Sequence, residues 1–471
     1  MNGYSIINKK PSIVCLNQRL ITKLGANYYS VRKIEMVEKI INSTEDNKAL
    51  GSLVKTKEKR MKPKGKDSIY IGLANINSDT GEIEVNTVDE ANIEGTSVII
   101  EAGDILFSKL RPNLNKVAIC PKYIGNALGS TEFVVMESKN IDKYFLYSVL
   151  KSNVALKQVI DITTGSTLPR IDSEDVLNIL VPIPSPEIQK YIGDKVRRAE
   201  ELREEAKRLK EEAESLISNS INLERLVEKV RDYKSKNNWV DSASISGRID
   251  GQYYINPITE INKYMKNIDM KLVVLRDIAE VRKGFSYSNE SSNGVPYIRI
   301  SDLDDLLIDY SKVVRIDNKT YQQKRNSQLK YFDLIMAITG ATIGKVSVFY
   351  NKEIEKATLS ADTAYVRFNN IEDSIAYLLY FKTVIGQLAI TQGITGATNK
   401  HLAIEDIKNI VLPQFEDSIK KEVKNKIVQS MDNIYTSKQL IQEAKQDVED
   451  LIEGKFDTSK LNNDSSTESR C

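Results

Sequence analysis

Several residue types on which metal and redox sites depend are scarce in this sequence. Its 471 residues include one histidine, His401, and three cysteines, Cys15, Cys120 and Cys471, which lie far apart and form no C-x-x-C pair. Neither a disulfide framework nor a zinc site is predicted, and a reducing compartment is favoured. No apolar run approaches the ~20 residues of a membrane span, and no signal peptide is recognisable, so a soluble, cytoplasmic protein is expected.

The sequence also lacks a strong net charge of either sign. Lysine and arginine number 67 against 65 aspartate and glutamate residues, which leaves a formal charge of +2. A surface that binds nucleic acid would therefore depend on local clustering of cations. The hydrophobic content of 41% is ample for the cores of two or three domains.

Motifs of common catalytic sites are missing as well. The sequence has no G-x-S-x-G elbow and no H-E-x-x-H helix, and no nuclease arrangement of an aspartate followed by Glu-x-Lys is evident. The pair Asn256-Pro257 lacks the second proline and the aromatic residue with which amino-methyltransferases hold a target base. These absences together favour a binding protein over an enzyme.

One segment, AITGATIGKVSVF from Ala337, resembles a phosphate-binding loop but does not satisfy that motif. Only three residues separate Gly340 from Gly344 where the motif needs four, and Val346 follows Lys345 where a hydroxyl should bind Mg²⁺. The residues after the lysine alternate as in a strand, whereas a phosphate-binding loop opens a helix. A nucleotide site is therefore not predicted here.

What the sequence does contain is an internal repeat. RIDGQYYI from Arg248 matches KLGANYYS from Lys23, an offset of 225 residues. Further blocks follow in the same order while the offset rises only to 231: LRDIA with LGSLV, YIRISDL with YIGLANI, FDLIMAITGATIGKVSV with GDILFSKLRPNLNKVAI, and ITGATNKHL with TTGSTLPRI. Matched blocks in one order predict two similar globular units.

Each unit has an α+β pattern. Branched and apolar content predicts strands in SVIIEAGDILFSKL, KVAIC and STEFVVM, and helices in YFLYSVLKS and SIAYLLYFKTV. In the aligned loops, Gly340 and Gly344 match Arg111 and Asn115, so the glycines are not shared between the units. We predict that the two glycines only shape a turn.

Each unit precedes a long helical pattern with a coiled-coil seam. Apolar residues alternate at three- and four-residue spacing up to Leu216, and again from Ile427 to Ile452. A dimerisation helix is one interpretation, but the matched placement favours pairing within the chain. The predicted boundaries are residues 1–185 and 241–413 for the units, 186–240 and 414–455 for the helices with a linker after the first, and 456–471 for a polar, disordered tail.

Candidate DNA contacts begin in the basic segment KTKEKRMKPKGK, Lys55 to Lys66, which has seven basic residues and one acidic residue. Such a segment would attract phosphates, and a solvated, flexible loop is an equal alternative. The candidates in this segment are Lys62, Lys64 and Lys66.

Further candidates lie in the aligned loops and turns. Arginine and lysine can bond guanine and asparagine can bond adenine, while hydroxyls and glycine amides contact phosphates, although ordinary turn chemistry also explains the Gly-Ser/Thr turns. His401 lies opposite Arg170 in the repeat, and for it a cationic or hydrogen-bonding role and a structural role both remain open. The candidates are Lys109, Arg111, Asn113, Asn115, Lys116, Ser166, Thr167, Arg170, Thr339, Thr342, Lys345, Thr395, Thr398, Asn399, Lys400 and His401.

As an ordered, duplicated set, RIDGQYY, LRDIAEVRKGFSYS, PYIRISDL, GDILFSKLRPNLNKVAI, TGSTLPRI and VPIPSPEIQK resemble the specificity subunit of a type I restriction-modification system over residues 20–455. The resemblance implies two similar α/β target-recognition domains in tandem, each followed by a long helix, with the helices paired as an antiparallel coiled coil. Each domain would read one half of a split site in double-stranded DNA, with the coiled coil setting the spacer.

The resemblance also implies a division of labour. Two methyltransferase subunits would use S-adenosylmethionine to methylate adenine N6, and two restriction subunits, where present, would use ATP and Mg²⁺ to translocate and cleave DNA. This chain would bind no cofactor and would not be an enzyme. Two alternatives stay open: a coiled-coil scaffold that reads no sequence, and a DNA-processing enzyme with an unrecognised active site.

Overall fold

The computed structural model describes residues 4–6, 14–16, 30–44, 46–61, 68–84, 87–88, 95–165, 167–224, 227, 238–242, 245, 249, 251–396 and 399–463. The chain divides into two compact units: unit 1 comprises residues up to Glu204 and from Asn433 onward, and unit 2 comprises Glu205–Asp432. Both divisions fall within long helices, so each unit contains part of both helices.

Unit 1 has an α+β fold built from thirteen described strands and eight described α-helices, the last of which lies near the C-terminus and is described below. Its strands are β1 Tyr4–Ile6, β2 Val14–Leu16, β3 Asp46–Ala49, β4 Val54–Thr56, β5 Arg60–Met61, β6 Ser68–Ile71, β7 Thr87–Val88, β8 Ser97–Ile100, β9 Ile105–Ser108, β10 Val117–Ile119, β11 Ala127–Gly129, β12 Phe133–Ser138 and β13 Leu180–Ile183. Its helices are α1 Val31–Ser43, α2 Leu50–Leu53, α3 Lys143–Lys151, α4 Asn153–Val159, α5 Ser173–Leu177, the start of α6 Pro186–Ser220, and the C-terminal end of a second long helix described below.

Two sheets form the centre of unit 1. An antiparallel sheet has the order β10-β9-β12-β4, and a mixed sheet has the order β5-β8-β11-β6-β7, in which β11 and β6 run parallel. The predicted long strand SVIIEAGDILFSKL is in fact two strands, because Gly103 adopts a positive φ of 89° and turns the chain between β8 and β9. The Asp104 carboxylate stabilises this turn by accepting a hydrogen bond from the Glu101 amide.

Unit 2 repeats this plan. Its strands are β14 Leu272–Val274, β15 Ala279–Lys283, β16 Val295–Ile298, β17 Val314–Ile316, β18 Leu334–Ala337, β19 Val346–Val348, β20 Thr358–Leu359, β21 Thr363–Phe368, β22 Ile394–Thr395, β23 His401–Leu402 and β24 Val411–Pro413. Its helices are α7 Asn256–Asn267, α8 Leu275–Ile278, α9 Asn318–Gln323, α10 Ile371–Lys382, α11 Val384–Gln392, α12 Ile404–Lys408 and the first part of α13 Asp417–Ile452.

The sheets of unit 2 match those of unit 1 strand for strand where they can be compared. The antiparallel order β15-β21-β18-β19 corresponds to β4-β12-β9-β10, and β16 runs parallel to β20 as β6 does to β11. The predicted tandem of two similar α/β units is therefore confirmed.

The central helices of the two units are capped in the same way. Asp142 accepts hydrogen bonds from two amides at the start of α3, and Asn370 accepts one from the Asp373 amide at the start of α10. Tyr144–Lys151 are all buried in unit 1, and so are Ser374–Phe381 in unit 2. Both helices are apolar on nearly every side, as expected for helices enclosed by a core.

The two long helices run antiparallel, as contacts within each unit show. In unit 1 the Lys195 ammonium lies 2.5 Å from an Asp447 carboxylate oxygen. In unit 2 the Ser430 hydroxyl donates to the Ala206 carbonyl at 2.7 Å, and the Lys426 ammonium lies 2.6 Å from a Glu212 carboxylate oxygen. Residue numbers rise along α6 as they fall along α13, which confirms the predicted antiparallel coiled coil.

The long helices differ in detail from the sequence prediction. The predicted seam residue Leu216 is half-buried, and Ile217 takes the buried position instead. A four-residue step after Ala213 explains this, because a helix of 3.6 residues per turn drifts from a strict 3.5-residue repeat. Helix α6 ends at Ser220, and Asn222 has a positive φ of 44°, a conformation common after helix ends.

The start of the segment predicted to be disordered is folded in unit 1. The ring of Phe456 packs edge-on against Tyr191 at 6.0 Å between centroids, and Lys460 contacts Asp447 at 3.1 Å. Residues Lys460–Asn463 form the short helix α14. Composition did not reveal these contacts, because one aromatic ring and one lysine are enough to attach a polar segment to a neighbouring helix.

No single helix among the described residues is long and apolar enough to span a membrane. Helices α10 and α11 have the length and apolar composition of a membrane span only when taken together, and the chain bends by 84° between them.

Candidate nucleic-acid interface

The most distinctive backbone of unit 1 lies in the loop between β9 and β10. A 3-10 turn, Pro112–Leu114, is flanked by Arg111 with φ 50° and ψ 59° and by Asn115 with φ 46° and ψ 45°. Both residues are in the left-handed region, where a side chain costs roughly 1–2 kcal/mol in most residues and asparagine is tolerated better. The exposed Arg111 therefore holds an unfavourable conformation.

The corresponding loop of unit 2, between β18 and β19, has the same special positions. Gly340 and Gly344 have φ values of 77° and 92° and align with Arg111 and Asn115. The two loops thus share a left-handed conformation at both positions, although the sequences share no glycine there. The predicted role of the glycines in shaping the turn accords with this backbone.

A hairpin closes over each loop through equivalent backbone hydrogen bonds. In unit 1 the Arg111 amide donates to Pro169 O at 2.7 Å, and the Ile171 amide donates to the carbonyl of Lys109 at 3.0 Å. These bonds join the loop to the turn that follows Thr164.

In unit 2 the aligned atoms make the same bonds. The Gly340 amide donates to the Lys400 carbonyl at 3.1 Å, and the Leu402 amide donates to the Ile338 carbonyl at 2.9 Å. We call residues 108–116 with 163–171, and residues 337–345 with 394–402, the loop-hairpin surfaces of units 1 and 2. Each brings together candidates that lie more than fifty residues apart in sequence.

An acidic residue that was not among the candidates supports each surface. In unit 1 the Arg170 guanidinium lies 3.1 Å from a Glu132 carboxylate oxygen, and the Glu132 carbonyl accepts from the Lys109 amide at 2.8 Å. The sequence could have indicated these residues, because an acidic residue occupies the matched third position of STEF in unit 1 and SADT in unit 2.

In unit 2 the acid in SADT is Asp362. Its carboxylate accepts from the Thr339 hydroxyl at 2.9 Å, and its carbonyl accepts from the Ile338 amide at 2.9 Å. Arg170 and Thr339 therefore have structural partners, and Arg170 still exposes 47% of its side chain.

Most of the described candidates are accessible on these surfaces. In unit 2, Thr339, Gly340, Ala341, Asn399, Lys400 and His401 line a shallow groove. Lys109, Thr339 and His401 are half-buried. The exposed candidates are Arg111, Asn113, Thr167 and Arg170 in unit 1 and Thr342, Lys345, Thr395, Asn399 and Lys400 in unit 2.

Some candidates, among them the exposed Lys345, are engaged in holding the loops. In unit 1 the Asn115 side-chain amide donates to the Lys151 carbonyl at 2.6 Å, and the Lys116 ammonium donates to the Leu73 carbonyl at 2.5 Å. In unit 2 the Lys345 ammonium donates to the Leu303 carbonyl. These contacts give the side chains a structural role, and their contact with DNA stays a prediction.

The basic segment is only partly described: Lys62, Lys64 and Lys66 lie outside the described residues, as do Ser166 and Thr398 of the turns. Its described part is no simple loop, because Lys55 belongs to β4, and Arg60–Met61 form β5, which pairs with β8.

One lysine of this segment is not free to meet a phosphate. The Lys57 ammonium lies 2.6 Å from a Glu101 carboxylate oxygen and 2.7 Å from the buried Asp104 carboxylate. Desolvation lowers the pKa of Lys57, but the hydrogen bonds with these carboxylates outweigh it and raise that pKa above its ordinary value. This part of the predicted basic surface is therefore neutralised within unit 1.

Within the part of the chain that the structure describes, no group of three or more histidine, cysteine, aspartate or glutamate residues is placed to hold a metal ion.

A comparison with known protein families agrees with the repeat seen in the sequence and in the two units. The family model described as the type I restriction modification DNA specificity domain matches this chain twice, over residues 42–215 and 267–450. The chain belongs to this family and carries its domain in two copies.

Curated relatives are specificity subunits. The EcoBI type I restriction enzyme specificity subunit of Escherichia coli is 20% identical over 323 residues, which cover 62% of this chain and 63% of that protein. The MjaVIII specificity subunit of Methanocaldococcus jannaschii is 27% identical over 134 residues, 27% of this chain and 31% of that protein. The chain thus spans less than two thirds of the length of these relatives.

Solved structures of the same kind resemble the chain over most of its length at low scores. The type I restriction-modification S subunit of M. genitalium has a TM-score of 0.42 and 13% identity, with 88% of this chain and 97% of that chain covered. The HsdS subunit of Thermoanaerobacter tengcongensis has a TM-score of 0.31 and 17% identity, with coverage of 87% and 96%.

Proposed function

We propose that this chain is the DNA-recognition subunit of a type I restriction-modification complex and that each unit reads one half of a bipartite target in double-stranded DNA. The observation that carries this proposal is the pair of loop-hairpin surfaces, which share a backbone frame but not their side chains. A common frame with unlike side chains is what two related readers of different sequences require.

The exposed side chains of the two surfaces suit different contacts. In unit 1, Arg111 and Arg170 carry planar guanidinium groups, which match the O6 and N7 acceptors of guanine, and Asn113 offers an amide suited to adenine. In unit 2 the exposed cations are Lys345 and Lys400, whose ammonium groups lack the planar fork of arginine, and Thr342 and Asn399 are uncharged. We therefore expect the two half-sites to differ in sequence.

The chemistry belongs to partners in this proposal. Two methyltransferase subunits, which bind S-adenosylmethionine, methylate adenine N6 within the site that this chain selects. Where restriction subunits are also present, they supply ATP- and Mg²⁺-dependent translocation and cleavage of unmethylated DNA. The paired helices α6 and α13 set the spacer between the half-sites and provide the docking site for the methyltransferases.

Exchange of one unit tests the proposal. Residues 245–413 are replaced by the recognition unit of another family member, the chimaera is expressed with the methyltransferase partner, and methylated adenines are mapped at base resolution. One half of the methylated motif is expected to change while the other half and the partner requirement stay the same. A change in both halves, or in neither, would show that the units do not read DNA separately.

A further inference from the structure

Each loop-hairpin surface is anchored by a side-chain donor on a helix packed against it, fully buried in unit 1 and half-buried in unit 2. The anchored atom is the carbonyl oxygen of the second left-handed residue, Asn115 in unit 1 and Gly344 in unit 2. In unit 1 this carbonyl accepts from the Lys151 ammonium at 2.8 Å, and in unit 2 it accepts from the Gln387 side-chain amide at 2.9 Å.

Lys151 is an unusual residue for its position. It is the last residue of α3, and its side chain is fully buried. The ammonium also donates to the Ser78 carbonyl at 2.7 Å, while the Asn115 side chain donates to the Lys151 carbonyl at 2.6 Å. Helix and loop therefore exchange two hydrogen bonds, which fix both the position and the orientation of the loop end.

The electrostatic surroundings give this lysine little compensation. The pKa of Lys151 is lowered to about 7, chiefly by desolvation. Lys445 on α13, Arg203 on α6 and Lys116 on the loop contribute to the lowering, and Asp79 opposes it. A buried lysine held by two carbonyls costs stability that an apolar residue of similar size would not cost. The stability lost in this way maintains the hydrogen bond between Lys151 and the loop.

Unit 2 anchors the aligned carbonyl in a different way. Gln387 lies on α11 and also donates to the Phe381 carbonyl at 2.6 Å, so both hydrogens of its amide are used. The lysine that ends α10, Lys382, contacts Asp305 instead of the loop. The aligned backbone carbonyl is thus held by a lysine on α3 in unit 1 and by a glutamine on α11 in unit 2.

We propose that Lys151 and Gln387 are positioning residues, each of which sets the geometry of one DNA-contacting loop and so controls sequence discrimination at one half-site only. This inference rests on the proposed function. The anchored carbonyl lies four residues from Arg111 in unit 1 and two residues from Thr342 in unit 2, so loss of the anchor displaces the side chains that face DNA.

The test uses the full chain in complex with its methyltransferase partner. Lys151→Met and Gln387→Met remove the donor and keep a flexible side chain of similar size. Lys157→Met, at an exposed position of α4, and Gln322→Met, at an exposed position of α9, are matched controls. Each complex is titrated with duplexes that carry the mapped wild-type motif or one base change in either half-site.

The measured quantity is the ratio of affinities for the matched and the altered duplex. Lys151→Met is expected to reduce this ratio by about tenfold for the half-site of unit 1 and to leave the other ratio unchanged, since one wrong base pair typically costs a factor of this order or more. Gln387→Met is expected to do the reverse, and the controls are expected to match the wild type. Partial unfolding lowers the concentration of active complex equally for every duplex and leaves the ratios unchanged.

Unchanged ratios in both variants would overturn the inference while the proposed function stands. If the wild-type complex shows no bipartite motif at all, the proposed function fails first and the inference fails with it.

Discussion

Replacement of Arg111 by glycine should stabilise unit 1 and weaken DNA binding at the same time. Arg111 holds a left-handed conformation with φ 50° and, among the described residues, its guanidinium forms no hydrogen bond or ion pair. Glycine removes a conformational cost of roughly 1–2 kcal/mol. It also adds about 0.5–1 kcal/mol of backbone entropy to the unfolded chain.

The difference amounts to a net stabilisation of about 0–1.5 kcal/mol, because the exposed guanidinium forms no hydrogen bond or ion pair among the described residues that would be lost. For a unit of about 240 residues this corresponds to a rise in melting temperature of up to roughly 6 °C. If the guanidinium contacts a guanine, affinity for the unit 1 half-site should fall by roughly 5- to 150-fold, from the ~1–3 kcal/mol of a bidentate pair.

The assays are thermal unfolding of the chain and titration of the methyltransferase complex with duplex DNA. Arg111→Ala is the matched control, since it removes the guanidinium but keeps the β-carbon, and it should weaken DNA binding without raising the melting temperature. A lower melting temperature for Arg111→Gly would refute the strain argument, and unchanged affinity in both variants would exclude Arg111 as a DNA contact.

Three further predictions concern stability. Gly344→Ala should destabilise unit 2 more than Gly340→Ala in denaturant titrations. A β-carbon at Gly344 would lie 2.8 Å from the Gln387 side-chain oxygen, whereas a β-carbon at Gly340 would have no atom beyond its chain neighbours within 4 Å. Equal effects of the two substitutions would contradict this. Asp333→Ala should cost about 1.5–3 kcal/mol in the same assay, because it removes the carboxylate 2.7 Å from the partly buried Arg367 guanidinium and leaves that cation only the Gln328 carbonyl and a 3.6 Å contact with Glu280; a cost below about 0.5 kcal/mol would contradict this. Burial lowers the pKa of Lys151 to about 7, so between pH 7 and 10 the unfolded chain binds a proton that the folded chain has released. The free energy of unfolding of the wild type should therefore rise, relative to that of Lys151→Met, by up to ~1.4 kcal/mol for each pH unit in this range. Parallel pH profiles of the two proteins would contradict this.

The tandem architecture was predictable because it depends on local and repeated patterns. Alternating apolar residues predicted strands, and the matched blocks revealed both units before any contact was known. The seam of the long helices likewise predicted their pairing, since apolar spacing is set by helix geometry alone.

The left-handed positions of unit 1 were not predictable in the same way. Sequence gives little sign of positive φ unless glycine is present, and Arg111 and Asn115 carry side chains. The anchor of the loop by Lys151 joins residues 36 positions apart, and only the packing of α3 beneath the loop brings them together. The supporting acids Glu132 and Asp362 were present as a matched pair, but a lone acidic residue carries too little pattern to be singled out.

The central claim is that one chain reads two different half-sites. Base-resolution mapping of methylated adenines in cells that express this chain with its methyltransferase partner tests it most directly. A motif of two unlike, specified segments separated by a spacer of fixed length is the expected result. Methylation at a single uninterrupted motif, or at adenines without a common sequence, would contradict the account.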